Sequence, residues 1–404
     1  MTAVQSQLAP ANFLDAHREL VSKATALRAS LRSSAREVDA AGKLPDSVVK
    51  QLDDAGLFQL MTPSQYGGHQ TTLRTYMEAV SEIGRGDPSA AWAATLINIC
   101  SWLMASLYPK NVQEEVFGSN NKVRAAGVIS PRKAKTRRVE GGIVVEEGFW
   151  GFNSGVYHAD YDLLGIPVVD EAGNEIDQGL CIIPTSQITI LNDWNTIALR
   201  GSGSSSVTVK DVFVPDERIA SLSKAIENNY RDRNEGIYTA AFIPMLAIIL
   251  VFPALGIAKA AMDVFLEKLP NRGIQYTWYK KQDEAAVTHL QVGEASAKLD
   301  AARTIIERAV DEIDANAIAG GAAMPTEQRA RIRRDVGYAS QLIWEGVDLL
   351  ATASGGSLAA ESNFFNRIWR DARVANLHGV VCTTTNLELY GRIACGKEAN
   401  TPLV

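Results

Sequence analysis

The chain has 404 residues and a formal net charge of −6, with acidic and basic residues interspersed, so there is no basic stripe of the kind a phosphate backbone requires and nucleic acid is not an expected partner. Four cysteines, Cys100, Cys181, Cys382 and Cys395, are far apart with no Cys-x-x-Cys pair, the pattern of reduced thiols in a cytoplasmic protein. The length predicts two to three domains with ample material for a buried core, and residues 1–16 have no apolar run behind a basic start, so no secretory leader is expected.

Apolar residues recur at spacings of three and four across residues 13–117, as in Val48, Leu52 and Leu57 and then Met77, Val80 and Ile83; this predicts helices with a loop over 63–71. From about 123 to 214 the pattern becomes alternation and short apolar runs, such as Ile143-Val144-Val145 and Val207-Thr208-Val209, divided by Gly, Asn and Asp. That predicts a β-domain. A polar connection over 221–235 leads to four long helical stretches, 237–268, 283–319, 326–352 and 364–396, which are enough for a bundle. Residues 238–258 carry no charge and are about long enough to span a bilayer. Pro244 and Pro253 interrupt them and no second apolar span accompanies them, so a buried helix is expected and no membrane. Gly201-Ser202-Gly203-Ser204 precedes a strand instead of opening a helix, which disfavours a dinucleotide-binding fold. His17, His69 and His289 are dispersed without partners at ligand spacing, so no metal site is expected.

Four stretches in one order carry a family resemblance. The first is Leu60-Met61-Thr62-Pro63-Ser64-Gln65-Tyr66-Gly67-Gly68 with Gly86-Asp87-Pro88-Ser89-Ala90-Ala91-Trp92. The second is Gly148-Phe149-Trp150-Gly151-Phe152-Asn153-Ser154-Gly155-Val156-Tyr157-His158-Ala159-Asp160, and the third runs from Trp194-Asn195-Thr196 through Leu199-Arg200-Gly201-Ser202-Gly203-Ser204. The fourth is Trp369-Arg370-Asp371-Ala372-Arg373-Val374-Ala375-Asn376-Leu377-His378-Gly379. Together they resemble the acyl-CoA dehydrogenase superfamily. In that superfamily the last stretch leads to a catalytic Glu followed by Gly-Thr, whereas here Gly379-Val380 stand in that place. A dehydrogenase needs a carboxylate to remove a carbon-bound proton, and this chain has His378 nearby, a group that gives or takes a proton near neutral pH. The pattern therefore resembles the two-component flavin monooxygenases that share the fold.

The resemblance implies an α+β, mostly helical chain with an N-terminal helical domain (1–120), a central β-barrel (121–220) and a C-terminal four-helix bundle (221–404). It implies reduced flavin, FADH2 or FMNH2, delivered by a separate NAD(P)H:flavin reductase, with O2 and a small aromatic substrate that is hydroxylated. His378 is the implied catalytic acid or base; the alternative is an ordinary histidine satisfied by a backbone carbonyl. Asn153 and Ser154 are implied to face the flavin ring, against a plain Asn-Ser-Gly turn. Trp194, Ser202 and Ser204 are further flavin-binding candidates. Arg272 resembles the arginine that reaches the flavin phosphate, although its spacing to Tyr276 is off by one. Gly355, Gly356 and Ser357 resemble a turn by which a neighbouring subunit touches the flavin tail, against a simple break between helices. Cys100, Trp102 and His158 are substrate-side candidates; Cys100 takes a slot where related phenol hydroxylases carry a second histidine, and His158 has an alternative structural use. The apolar helices present more surface than one bundle buries, which predicts a dimer or a tetramer with sites near subunit boundaries. Two other readings compete: a flavin dehydrogenase acting on an acyl thioester with an acid such as Glu361 or Glu345, and a scaffold that kept the fold without catalysis.

Overall fold

A computed structural model of the protein describes residues 11–118, 120, 122–320 and 324–404. Most of the stretch read for a leader lies outside them. The N-terminal part contains helices α1 (Ala11–Ala26), α2 (Arg28–Ala41), α3 (Asp46–Asp54), α4 (Leu73–Gly86), α5 (Pro88–Leu107) and α6 (Lys110–Phe117). The start of α5 is written locally: the Asp87 side chain accepts from the Ala90 amide at 2.8 Å and Pro88 takes the first turn, where its missing N–H costs nothing. Nearly every residue of α5 is buried, so it forms the axis on which the rest of the chain packs.

The middle of the chain forms strands β1 (Ala125–Val128), β2 (Lys133–Val139), β3 (Gly142–Trp150), β4 (Tyr161–Val169), β5 (Glu175–Pro184), β6 (Thr189–Ile190), β7 (Val207–Pro215) and β8 (Ile219–Ser221). They pair as two four-stranded sheets, β1-β4-β5-β8 and β2-β3-β7-β6, and the β1–β4 pair alone is parallel among them. The expected barrel is therefore a two-sheet sandwich; no closed ring joins the described strands. Its core is filled by Val145, Trp150, Leu164, Ile166, Cys181, Ile183, Val207 and Val209.

After β8 come α7 (Leu222–Ile226), α8 (Phe242–Ile248), α9 (Phe252–Lys268), α10 (Ala286–Ile318), α11 (Thr326–Ala353), α12 (Phe364–Ala375) and α13 (Thr383–Ala394). Two of the expected bundle helices are broken. The first tightens to a single 3-10 turn at Ile249–Val251 just before Pro253. The last stops at Ala375 and resumes at Thr383, leaving His378 in a loop. A second apolar helix long enough to cross a membrane does exist, contrary to the sequence reading: Pro88–Leu107, 94% buried, beside Phe242–Asn271, 89% buried. Both are core helices, and one continuous buried cluster joins residues of α4 and α5 to those of α9, α10 and α11.

Candidate active site

Three loops meet at the first turns of α5. The loop after β3 carries Phe152, Asn153 and Ser154, and the loop before β7 carries Trp194, Leu199, Ser202 and Ser204. The backbone of the first is tied to the second: the Gly155 amide donates to Ser202 O at 3.0 Å and the Asn153 amide to Ser205 O at 3.3 Å. Gly155 has φ +79°, where other side chains are strained, and lies so close to α5 that a Cβ would come within 3.2 Å of Ile97, so glycine suits the position.

Side chains complete the junction. The Trp92 indole N–H donates to Ser154 Oγ at 3.0 Å, and Ser154, Ser204 and Ser202 form a hydroxyl chain with 2.7 Å links that ends on the Leu199 carbonyl. The Trp194 indole N–H donates to that same carbonyl at 3.0 Å. Phe152 and Leu199 have φ of +63° and +49°, which bulky side chains rarely adopt. Such strain persists where surrounding structure imposes it, and it clusters at ligand sites. Phe152 is 64% exposed, yet its ring is fixed edge-on to Trp194 at 5.8 Å with the Arg132 guanidinium 5.5 Å away. An aromatic corner held open to solvent suits stacking by a planar ring.

The third loop, between α12 and α13, brings His378 beside Trp92, with ring centroids 6.1 Å apart. The Val380 amide donates to His378 Nδ1 at 3.2 Å, which leaves Nε2 to carry the proton of the neutral ring. The residue is exposed, but the surrounding protein still desolvates the ring and lowers its pKa below the usual histidine value. Asn153 reaches the other way: Nδ2 donates to the buried Asp162 carboxylate at 2.6 Å, and Asn153 Oδ1 is buried with no partner among the described residues. That orphaned acceptor, 0% exposed in its residue, is what an N–H of a bound flavin ring would satisfy.

The remaining candidates fall into separate places. Arg272 donates to the Ser354 carbonyl next to Gly355, Gly356 and Ser357, so these form a second cluster at the surface, away from the Ser154 loop. Trp102 is fully buried, its indole N–H on the Ile237 carbonyl at 2.9 Å, and serves packing. Cys100 is buried against β1, where a Cβ on Gly127 would come within 3.1 Å of its sulfur; burial pushes its thiol far up, as it pushes Cys181 up to about 12. Neither residue lines an open site. Sequence reasoning missed Trp92 as a site residue, having only its place in the Asp-Pro helix start to go on. No cluster of potential metal ligands occurs among the described residues.

His158 is a structural neighbour of the site. Burial, helped by Arg124 and Lys43, lowers its pKa to about 4, so it is neutral near pH 7. Between 4 and the ordinary 6.5 the unfolded chain binds a proton that the folded chain does not, so stability is lost as pH falls through that window. His158→Gln removes this term. Relative to wild type it should gain about 2 kcal/mol between pH 7.5 and pH 4.5 in melting experiments; parallel stability–pH curves for the two proteins would refute the assignment.

Comparison with known proteins identifies the family. The acyl-CoA dehydrogenase N-terminal domain matches residues 15–115 and the acyl-CoA dehydrogenase C-terminal domain residues 248–382. The oxygenase subunit HsaA, a flavin-dependent monooxygenase of Rhodococcus jostii (strain RHA1), is 31% identical over 91% of this chain and 95% of its own. The chain belongs to the flavin-dependent monooxygenases of the acyl-CoA dehydrogenase fold. Another member of this monooxygenase family, the oxygenase component of p-hydroxyphenylacetate 3-hydroxylase from Acinetobacter baumannii, is 26% identical over 93% of the chain and 88% of its own. Among solved structures, XiaF from Streptomyces sp. in complex with FADH2 and glycerol superposes with a TM-score of 0.92 at 28% identity, covering 99% of this chain and 100% of that one.

Proposed function

We propose that the protein is the oxygenase component of a two-component system, hydroxylating a small electron-rich aromatic substrate with reduced flavin and O2. The observation that carries this is His378: beside the dehydrogenase base position, which Gly379-Val380 occupy, stands an exposed histidine whose Nδ1 accepts from the backbone, leaving the proton on Nε2. Asn153 Oδ1, the Ser154–Ser204–Ser202 chain and the Phe152–Trp194 corner would hold the flavin ring, and Arg272 with Gly355, Gly356 and Ser357 would reach its phosphate end from a neighbouring subunit. Reduced flavin, when bound, supplies the electrons and activates oxygen.

The chain's residues then handle water and protons. Trp92 and Phe152 exclude solvent from the ring edge. His378 orients the substrate's hydroxyl by donating Nε2–H to its oxygen; as a base it takes that hydroxyl's proton onto the ring and returns it to the oxygen atom that leaves as water. Taking a proton at Nε2 requires the ring to hold its own proton at Nδ1 and release the Val380 amide, so that contact breaks before the ring accepts and later gives back a proton.

The assembly proposed is a homotetramer in the cytoplasm, with a separate NAD(P)H:flavin reductase. An exposed apolar patch supports burial between copies: Tyr276 and Trp278 are almost wholly exposed beside Arg272, with Val287 and Leu290 at the start of α10. Anaerobic titration tests the function. The purified protein should be nearly colourless and bind reduced flavin more tightly than oxidised flavin; a retained yellow cofactor bleached by an acyl-CoA thioester would establish the dehydrogenase instead. Light scattering on the same sample should give four chains, and a monomer would refute the assembly.

A further inference from the structure

Asp162, on β4, is a fully buried carboxylate that the mechanism above leaves unused. Its one side-chain donor is Asn153 Nδ2 at 2.6 Å, and Asp162 Oδ1 and Asn153 Oδ1 are both buried without partners. Among the described residues no cationic side chain pairs with it. The titratable groups that face it are Cys100 from α5 and Cys181 from β5, both held as thiols by burial. The strand positions beside it are Ala126 on β1 and Ile183 on β5. Charged side chains of β2 and β3 pair with one another at the surface, Lys133 with Glu147 at 2.6 Å and Lys135 with Glu146 at 2.8 Å. Arg124, before β1, pairs with Asp53 at 3.4 Å.

We propose that Asp162 is a positioning residue whose protonation state decides which end of the Asn153 amide faces the flavin. The proposal rests on the flavin reading above. Ionised Asp162 accepts from the amide NH2, so Asn153 presents its oxygen, an acceptor for the ring N–H that reduced flavin has and oxidised flavin lacks. Protonated Asp162 becomes a donor, which takes the amide oxygen and turns the NH2 toward the ring, favouring the oxidised form. A carboxylate held only by a neutral amide in a dry site protonates easily; burial, opposed by Asn153, places it at about 7. Both states are then populated near neutrality.

The test measures dissociation constants of wild type for reduced and oxidised flavin anaerobically from about pH 6 to about pH 8.5. The preference for reduced flavin should weaken about tenfold toward the acid end, the effect of exchanging one matched hydrogen bond for a mismatch. Asp162→Asn, whose amide oxygen accepts from Asn153 without titrating, should keep the preference for reduced flavin constant across the range. Should that variant fail to fold, Asn153→Ala carries the same test, because removing the amide must also abolish the pH dependence. A constant wild-type preference, or the wild-type pH dependence surviving in either variant, overturns the proposal. Wild type binding neither form at any pH sinks the flavin reading and this proposal together, whereas binding with a constant preference sinks only the role of Asp162.

Discussion

His378→Ala is expected to lower hydroxylated product by about 100- to 10,000-fold, the usual loss when a general acid or base is removed, while oxygen consumption continues and hydrogen peroxide appears instead. The flavin-holding groups sit on other loops: Ser154 keeps its bond from Trp92 and Asn153 its bond to Asp162, so reduced-flavin affinity should change little. Ser154→Ala should do the reverse, breaking the hydroxyl chain to Ser204 and weakening flavin binding before substrate is involved. The alternative role of His378 is also visible, since Nδ1 caps the turn Gly379–Val381. Losing a cap typically costs about 1 kcal/mol, so a structural histidine would show as a small stability loss with product formation still tightly coupled to oxygen use. Product per oxygen consumed separates the two roles, and a ratio near the wild-type value in His378→Ala would end the catalytic assignment. Because burial lowers the pKa of His378, the neutral donor persists below the ordinary histidine range, and the acid limb of the wild-type rate should fall there too.

The sequence made some of this visible and hid the rest for physical reasons. Period revealed the helices; the start of α5 at Asp87-Pro88 is made by local hydrogen bonding, which needs nothing from the rest of the chain, although the spacing alone did not mark it. The break around His378 was hidden because it is fixed by a distant partner. Asn386 Nδ2 donates to the Val380 carbonyl at 2.8 Å, and Arg333, more than a helix away in the sequence, donates to the same Asn386 side chain at 2.9 Å and fixes it, so a tertiary contact overrides a helical pattern. Alternation revealed strands, but closure into a barrel or division into two sheets depends on which edges pair, which alternation does not encode. α5 is apolar all round, so no periodicity told Trp92, which reaches the site, from Trp102, which does not. The Ser-rich loop was legible as a motif, whereas the partner that shapes it lies on α12, remote in the sequence.

That partner, Asp371, gives the second large effect. Its Oδ1 accepts from the Leu199 amide at 2.6 Å and holds that residue at φ +49°, and the Leu199 carbonyl in turn anchors both Ser202 and Trp194. Removing one member of a buried ion pair commonly costs about 3–5 kcal/mol because a charge is stranded, but here Arg367 keeps Asp87 at 2.7 Å, so that figure is too large. What remains is an orphaned buried N–H on a strained residue, about 1–3 kcal/mol. Asp371→Ala should therefore lose about 2–3 kcal/mol in chemical denaturation and, by releasing the loop, weaken reduced-flavin binding. The deficit should depend on pH. Burial, against the pull of Arg367, raises the folded carboxyl to about 6 from 3.8, so between those values the folded state holds a proton that the unfolded state lacks. Falling pH then stabilises wild type but not the alanine variant, and the gap should widen by roughly 1 kcal/mol from pH 7.5 to pH 5. Asp371→Asn keeps the acceptor for Leu199 without the buried charge, so it should preserve flavin binding; it does not titrate either, so its stability relative to wild type should shift with pH as the alanine variant's does. An alanine variant that binds flavin like wild type would mean that the loop holds its shape without Asp371, and that the Arg-Asp-Ala-Arg stretch serves the bundle alone.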